Sequence, residues 1–333
     1  MSATVVPAKP SRARSPITAF TAAWASQIGI SVAFIAVWLA FIIGAPSTFL
    51  GDRIYLAFAQ STPYFAIIAV FLTMVIIAGD IDLSFTSEMS LSMVGFIFAW
   101  KATGSVELGV AAALFVGALC GLFNGLIVTF IGIPSLVVTI GTQFLFLGLA
   151  LVLVNGKSYS LVDTTSSISY GLLAGKVGTI PIQFFWLVAL AVVAWVLLNR
   201  HRLGQNAYVI GDNPQAAQLM GIPIRSTRIT LFVLTGMSAA VAALMIALSL
   251  TNYYPNLGSS YLMPTLAAVF VGGTSVFGGR GSIYGTFLGA FMIGGIQAGI
   301  VAVGLTDYYT GAIYGAVILI SVSVHAVIQR RFE

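Results

Sequence analysis

Charged residues are scarce in this chain. They make up 7% of its 333 residues, and 59% of the residues are hydrophobic, whereas soluble domains carry about 25% charged residues. A soluble protein with a large core does not produce the long uncharged runs found here. The chain is therefore predicted to be an integral membrane protein.

Cysteine and histidine are also nearly missing. The single cysteine, Cys120, excludes an intramolecular disulfide and a cysteine-based zinc site, and its apolar surroundings predict a packing role. His201 and His325 lie far apart in the sequence. We therefore expect neither a metal site nor a catalytic pair, and the residues predict no enzyme.

The net charge of +5 comes from basic residues scattered through short loops, where they act as topology signals and not as a nucleic-acid surface. Lys9, Arg12 and Arg14 precede an apolar run, as in a signal peptide. However, residues 15–51 contain no charge and are long enough to span a bilayer. We interpret this stretch as an uncleaved first helix.

Uncharged runs predict an all-α, polytopic membrane protein, since a helix needs about 20 apolar residues to cross a bilayer. Two runs are long enough for two crossings each, and they break at Pro134 and near Pro255. The ten predicted crossings are 28–45, 61–79, 86–103, 108–130, 135–154, 181–199, 229–250, 261–278, 283–304 and 309–328.

The distribution of Lys and Arg orients these crossings. With the N-terminus inside, ten basic residues fall on the inside and four on the outside, which predicts that both termini are cytoplasmic. The domain plan is a tail at 1–27, one transmembrane domain at 28–329 and a tail at 330–333. A loop at 200–228 is then cytoplasmic, and a loop at 155–180 is periplasmic. Five crossings in each half allow an inverted-topology repeat, although the halves show no convincing sequence match.

The loop 200–228 contains a short helix with sequence signals at both ends. Asn213 suits the N-cap, Pro214 the first helical position and Gly221 the C′ position. Gln215, Ala216, Ala217, Gln218, Leu219 and Met220 lie between them. Ala216, Ala217 and Met220 are expected to share a small apolar face. An ordinary loop helix on the membrane would carry bulkier apolar residues, so we interpret this one as a docking element.

Three stretches resemble one family. The segment from Gly204 to Ile222 resembles the coupling loop of ATP-binding-cassette importer permeases. Gly79-Asp-Ile-Asp-Leu-Ser84 is similar to the Gly-Gly-Ile-Asp-Leu-Ser signature of the ribose/xylose-type monosaccharide branch. The Gly-rich block from Ala267 to Ala290 looks like that branch's block near the C-terminus. Together, the three stretches and their spacing extend the resemblance over nearly all of the chain after about residue 45.

The resemblance implies a bacterial inner-membrane machine. Two permeases, either two copies or a copy and a paralogue, form the pathway. Two cytoplasmic ATPases bind the coupling helices and carry ATP and Mg, and a periplasmic binding protein delivers the solute. This chain itself would bind no cofactor and no metal, and its other contact would be membrane lipid.

The chain departs from the branch pattern at an acidic segment. Asp80 stands where Gly is usual, Phe85-Thr86 replaces Val-Gly, and Glu88 adds a third acid beside Asp82. Charges inside a membrane are costly and often functional. A structural or gating role is favoured over direct solute contact or a proton relay. Gate or pathway candidates are Asp80, Asp82, Ser84, Glu88, Asn124 and Asn252, with Tyr64, Gln143 and Tyr308 as further pathway liners.

Two glycine series recur at a spacing of four residues, which lets helices approach closely. They are Gly117, Gly121 and Gly125, and Gly281, Gly285 and Gly289. We expect helix packing at both. Asn155-Gly-Lys-Ser158 looks like part of a phosphate loop, but Leu151 occupies the position where that motif needs a glycine. Any ATP must therefore bind a partner.

The leading hypothesis is a permease for a monosaccharide or related polyol. The alternatives are the same machine for an amino acid, a nucleoside or a furanosyl signal, and a proton-coupled secondary transporter. The last would need no ATPase and would leave the short helix unexplained.

Overall fold

The computed structural model describes residues 16–302 and 308–330, and it describes side chains over 27–300 and 309–323. Most of the predicted tail at 1–27 and of the tail at 330–333, the side chain of Tyr308 and that of His325 lie outside these residues. The helices are α1 Pro16–Gly44, α2 Pro46–Phe49, α3 Asp52–Ile77, α4 Phe85–Thr103, α5 Val106–Leu126, α6 Ser135–Leu153, α7 Ile168–Ala174, α8 Ile182–Asn199, α9 Arg202–Asp212, α10 Pro214–Leu219, α11 Ile224–Ser249, α12 Leu262–Val271, α13 Ile283–Ala302 and α14 Tyr308–Arg330.

The strands are short and lie outside the helical bundle. They are β1 Tyr159–Ser160, β2 Lys176–Val177, β3 Ile180–Pro181 and β4 Asn252–Tyr253. β1 pairs antiparallel with β4, with Tyr159 opposite Tyr253, and β2 pairs antiparallel with β3. The first pair connects the loop 155–180 to a segment almost a hundred residues later.

Among the described residues, seven helices are long and apolar enough to cross a membrane. They are Gln27–Gly44, Asp52–Ile77, Val106–Ile131, Ser135–Leu153, Ile182–Asn199, Ile224–Ser249 and Ile283–Ile300. Each overlaps one of the ten predicted crossings. The all-helical prediction is therefore confirmed, whereas the number ten is not reached over the described part of the chain.

The eighth predicted crossing, 261–278, is wrong as a continuous helix. α12 ends at Val271 after 10 residues, which at 1.5 Å per residue is about 15 Å, or half of the hydrocarbon core. The third prediction, 86–103, corresponds to α4, which has 19 residues. Its Ser, Thr and Glu side chains make it less apolar than the seven helices above. α4 is nevertheless helical over the predicted range, and the bundle buries its first three turns, where most of its polar side chains lie.

The core of the bundle is built on α3 and α11. In the most apolar windows of these helices, 89% and 78% of the residues are buried, against 33% or less in α5, α6 and α8. The outer helices are just as apolar, so their exposed faces are suited to lipid. α11 packs against α3, α4 and α5, and α12 packs against α3, α13 and α14.

Glycines set the closest helix contacts. A Cβ atom at Gly117 or Gly121 of α5 would collide with the backbone carbonyls of Gly236 and Phe232 on α11, and one at Gly125 would collide with Ile229. Cβ atoms at Gly285 and Gly289 of α13 would collide with the carbonyls of Gly272 and Ala268, whereas Gly281 faces side chains of Ile77 and Thr274. Five of these six glycines thus lie where backbones touch.

Two segments without α-helix interrupt the bundle. The first interruption, residues 78–84, follows α3 and leads into α4, and the second interruption, residues 250–261, follows α11 and leads into α12. Gly258 of the second lies against the backbone of Thr86 at the start of α4, where a Cβ would collide. The ends of both interruptions therefore meet inside the protein.

Candidate functional site

Four polar side chains meet where the first interruption enters α4. This carboxylate cluster consists of Asp82, Ser84, Glu88 and Asn124, all of them 0% exposed. The first three come from the interruption and the first turn of α4, and Asn124 comes from α5. The glycine contacts that hold α5 against α11, together with the packing of α4 on α5, fix the position of Asn124.

One hydroxyl lies between the two carboxylates. Ser84 Oγ is 2.7 Å from Asp82 Oδ1 and 3.1 Å from Glu88 Oε1. The backbone N–H of Ser84 also donates to Asp82 Oδ1 at 2.9 Å. Asn124 Nδ2 donates to Ser84 Oγ at 2.7 Å and to Glu88 Oε1 at 2.9 Å. The cluster is a connected hydrogen-bond network.

Three acceptor oxygens of the network have no hydrogen-bond partner among the described residues. They are Asp82 Oδ2, Glu88 Oε2 and Asn124 Oδ1. A buried polar atom without a partner costs about 1–3 kcal/mol, and more when it is charged. The network is therefore short of donors, and it contains no cation of its own.

Asp80 is held apart from the cluster. Its Oδ2 lies 2.9 Å from Nε of Arg228 at the start of α11, and the contact is an ion pair without hydrogen-bond alignment. Burial raises the pKa of Asp80, and the Arg228 guanidinium and the Ser135 hydroxyl oppose that rise. The first interruption is also held by Ser135 Oγ, which accepts from Ile81 N at 3.0 Å, and by Thr139 Oγ1, which donates to Ile81 O at 3.2 Å.

The other predicted pathway residues lie elsewhere. Asn252 is exposed in β4, opposite Ser160. Tyr64 contacts Tyr261 with ring centroids 6.4 Å apart. Gln143 Nε2 lies 3.5 Å from Thr86 Oγ1. None of these three residues has a hydrogen bond to the cluster among the described contacts.

The loop 200–228 is more ordered than its sequence indicated. α10 runs over Pro214–Leu219, Asn213 Oδ1 accepts from Ala216 N at 3.0 Å, and Gly221 follows with φ of +73°. The preceding residues form a second helix, α9, in a stretch that the sequence predicts to be loop. Its buried Gly204, Ala207 and Ile210 recur every third residue, a signal that could have revealed it.

The exposed face of α10 differs from the predicted one. Ala217 is fully buried, whereas Leu219 is 90% and Met220 is 62% exposed. The expectation that Ala217 belongs to an outward face is wrong, because α10 packs on α9 through that side. The outward apolar residues are the two bulky ones at its end.

α9 connects α10 to the bundle through backbone contacts. A Cβ at Gly211 would collide with the carbonyl of Ile77 and with the backbone of Gly279. Tyr208 Oη donates to the carbonyl of Gly281 at 2.8 Å, and Gly279 N donates to the carbonyl of Ile77 at 2.9 Å. The loop 200–228 thus touches both the end of α3 and the Gly-rich loop after α12.

Two further observations bear on ligands. No three His, Cys, Asp or Glu side chains in the described part of the chain are placed to hold a metal ion. A cavity of about 450 Å³ opens on the outer helices and is lined by aromatic residues that include Phe34, Trp38, Phe184 and Phe291. Its apolar lining suits a lipid chain.

A polytopic helical bundle with a short, capped, outward helix has the features of a transport permease. Residues 54–322 match the family described as branched-chain amino acid transport system permease component, and the chain belongs to that family. It is a multi-pass membrane permease component of a bacterial ATP-binding-cassette importer and not itself an enzyme.

Curated relatives carry a more specific name. The chain is 33% identical over 275 residues to the autoinducer 2 import system permease protein LsrD of Yersinia enterocolitica, covering 78% of this chain and 81% of the relative. The LsrD protein of Photorhabdus luminescens is 34% identical over 267 residues, covering 77% and 78%. That of Salmonella typhi is 31% identical over 275 residues, covering 78% and 80%. No solved structure matches the chain.

Proposed function

We propose that this permease moves a furanosyl signal of the autoinducer 2 kind into the cell, driven by a partner ATPase that docks on α10. The relatives named above support the solute, because about a third of the residues are shared over more than three quarters of the chain. They favour the furanosyl alternative over a monosaccharide or polyol. The single observation that carries the docking is Leu219, an apolar side chain that is 90% exposed on an ordered helix.

An ATPase bound at α10 would be connected to the bundle through closely packed backbone. Leu219 and Met220 form a small apolar knob, and knobs of this kind mark interfaces. Behind the knob, α10 packs on α9, and Gly211 of α9 contacts Ile77 and Gly279 without intervening side chains. A displacement of the knob therefore reaches the start of the first interruption and the loop 272–282 together.

The remaining parts of the machine follow from this role. ATP and Mg belong to the partner ATPase, a periplasmic binding protein delivers the solute, and a second permease copy or a paralogue completes the pathway. Asp80, Asp82, Ser84, Glu88 and Asn124 would act in the gate, since they lie where the first interruption enters α4. Asn252 would act at the outer end, where β4 pairs with the loop 155–180.

A proton-driven secondary transporter is the competing function that the buried acids support. It would need neither the knob nor α9. Uptake into liposomes by the permease alone, driven by a pH gradient, would favour it over the importer.

Leu219→Glu tests the docking. We expect at least a tenfold loss of ATPase co-purification, because a charge would be desolvated at an apolar contact. Ile168→Glu on α7 is the matched control, since Ile168 is 76% exposed but belongs to the loop 155–180, which is predicted to lie on the opposite side of the membrane. Co-purification of Leu219→Glu at the level of the control would contradict docking at α10.

The solute is tested on the cognate binding protein, because a ligand stabilises the protein that binds it in proportion to its concentration over its Kd. Thermal unfolding is measured with autoinducer 2, ribose, xylose, leucine and a nucleoside. We expect the largest upward shift with autoinducer 2. A large shift with ribose and none with autoinducer 2 would restore the monosaccharide hypothesis.

A further inference from the structure

We propose that the carboxylate cluster is a proton-binding site, and that in the folded protein at neutral pH it holds one proton, carried by Glu88 and linked to Asp82 through the Ser84 hydroxyl. The proposal rests on the donors and acceptors in the cluster and not on transport. It therefore stands or falls separately from the importer function.

The first step is the charge of the cluster. Asp82 and Glu88 are both 0% exposed, and a single hydroxyl contacts both carboxylates. Two bare carboxylates at this separation inside a bundle would repel each other and lose their hydration. Arg228, which lies near the interruption, is already paired with Asp80. The cluster therefore needs one positive charge from elsewhere.

The second step is the hydrogen count. The Ser84 hydroxyl has one hydrogen but faces two carboxylate oxygens, so it can serve only one of them. If Glu88 Oε1 carries a proton, it donates a hydrogen bond to Ser84 Oγ. The Ser84 hydroxyl then donates its own hydrogen bond to Asp82 Oδ1. Ser84 Oγ then accepts from Glu88 and from Asn124 Nδ2 and donates once, which is its full capacity. The proton comes from water, and the net charge of the pair rises from −2 to −1.

The third step assigns the proton to Glu88. Asp82 Oδ1 accepts both the Ser84 backbone N–H at 2.9 Å and the hydroxyl at 2.7 Å, and donors of this kind stabilise a carboxylate. Glu88 accepts the Asn124 amide and the longer hydroxyl contact. Asp82 is therefore the better anion of the two.

The fourth step is the unpartnered Asn124 amide oxygen. Asn124 Oδ1 is fully buried within the cluster, as are Asp82 Oδ2 and Glu88 Oε2, and none of the three has a partner in the described part of the chain. Every unsatisfied atom is an acceptor, so the deficit is one of hydrogens. A proton on Glu88 leaves its buried Oε2 on a neutral carboxylic acid, and a neutral unpartnered oxygen costs less than a charged one, whereas another anion would add to the cost.

Within the described residues, few ionisable groups lie on the elements that pack around the cluster. α5 carries Cys120, a buried free thiol. α11 presents Arg228 in its pair with Asp80, and the second interruption presents Tyr253 and Tyr261. α6 has no ionisable residue.

Infrared difference spectroscopy of the purified full-length permease in nanodiscs reads the proton directly, through the carbonyl stretch of a protonated carboxylic acid and its shift in D₂O. We expect the band in the wild type and in Glu107→Gln, whose carboxylate is exposed, and its loss in Glu88→Gln. Retention of the band in Glu88→Gln, with loss in Asp82→Asn, would overturn the assignment to Glu88. Absence of the band from the wild type would overturn the site.

The pH dependence of unfolding gives an independent reading. A proton that the folded state holds more tightly than the unfolded state stabilises fully below about pH 4.3, the ordinary pKa of Glu, and that stability is lost as pH rises through the folded-state titration. The thermal midpoint of the wild type should therefore fall with rising pH, and that of Glu88→Gln should fall less, because only the other buried acids still titrate. Parallel curves would contradict the proposal. If Glu88→Gln does not fold, the D₂O shift in Asp82→Asn, which should keep the band, takes its place.

A monovalent cation is the other way to supply the charge. Thermal unfolding in NaCl is compared with choline chloride at equal ionic strength. Equal midpoints together with the band support the proton. A higher midpoint in NaCl without the band would show a sodium site and overturn the proposal.

Discussion

The two interruptions solve the same problem with different chemistry. Each follows a 26-residue helix inside the bundle, where backbone groups that leave a helix must find partners away from water. The first interruption carries Asp80 and Asp82 and is held by side chains of Ser135, Thr139 and Arg228. The second has no charged residue and is held by backbone pairing and tyrosines.

The second interruption is joined to the loop 155–180. Leu161 N donates to the carbonyl of Thr251 at 2.9 Å, Tyr159 stands opposite Tyr253, and the Lys101 ammonium lies 4.1 Å from the Tyr159 ring centroid. The first interruption is instead joined to α9. The difference shows that buried charge is concentrated at the interruption that faces the proposed ATPase contact, whereas the other relies on shape and backbone pairing.

The largest expected loss of stability comes from a substitution that forces the two interruptions apart. Gly258→Val places a side chain against the backbone of Thr86, and a backbone cannot rotate aside as a side chain can. We expect a loss of more than about 3 kcal/mol in the free energy of unfolding, measured by denaturant titration in detergent. Gly148→Val on α6 is the control, because a Cβ there meets nothing within 4 Å. Equal stability of the two variants would disprove contact between the interruptions.

A smaller effect tests the charged interruption alone. Asn124→Leu keeps the branched shape of the side chain but removes the donor to Ser84 and Glu88. We expect a loss of about 2–3 kcal/mol in the free energy of unfolding, because a charged or polar partner stays buried without its donor. Adding Glu88→Gln to the same chain replaces the acid that has lost its donor with an amide, and it should recover part of the lost stability. A double variant no more stable than Asn124→Leu would argue against coupling of the two residues.

The smallest effect tests the uncharged interruption. Tyr253→Phe removes a hydroxyl whose contact with the carbonyl of Ser90 is 3.4 Å long. We expect a loss of less than about 1 kcal/mol, because the ring still packs in the core and the pairing of β4 is unchanged. A loss as large as that from Asn124→Leu would remove the distinction between the two interruptions.

Much of the architecture could be predicted from the uncharged runs, because a membrane demands them locally. The short α12 could not, since residues 229–279 are uncharged throughout and the end of a helix at Val271 depends on the close approach of Gly272 to α13. α9 was not predicted, because polar residues are interspersed among its apolar ones and only Gly204, Ala207 and Ile210 are buried.

The candidate residues could be recognised singly but not as a site. Glu88 and Asn124 are 36 residues apart, and only the packing of α5 on α4 brings them together. The pairing of Asp80 with Arg228 had no sequence signal either. Ala217 was assigned to the outward face and Leu219 was not, whereas Ala217 is buried and Leu219 is exposed, because the side on which α10 meets α9 is decided by tertiary contacts.

The meeting of Gly79, Gly211 and Gly278 has a consequence for how the chain tolerates substitution. These residues come from three distant segments, and the Cα atoms of Gly79 and Gly211 both lie within 4 Å of where a Cβ on Gly278 would stand. A survey of all single substitutions should therefore find three intolerant positions that are scattered in sequence and coincide in space. Even alanine should be excluded at each of them, because Gly79 and Gly278 both have a φ of +83° and a Cβ on Gly211 would collide with the backbone of Ile77 and Gly279.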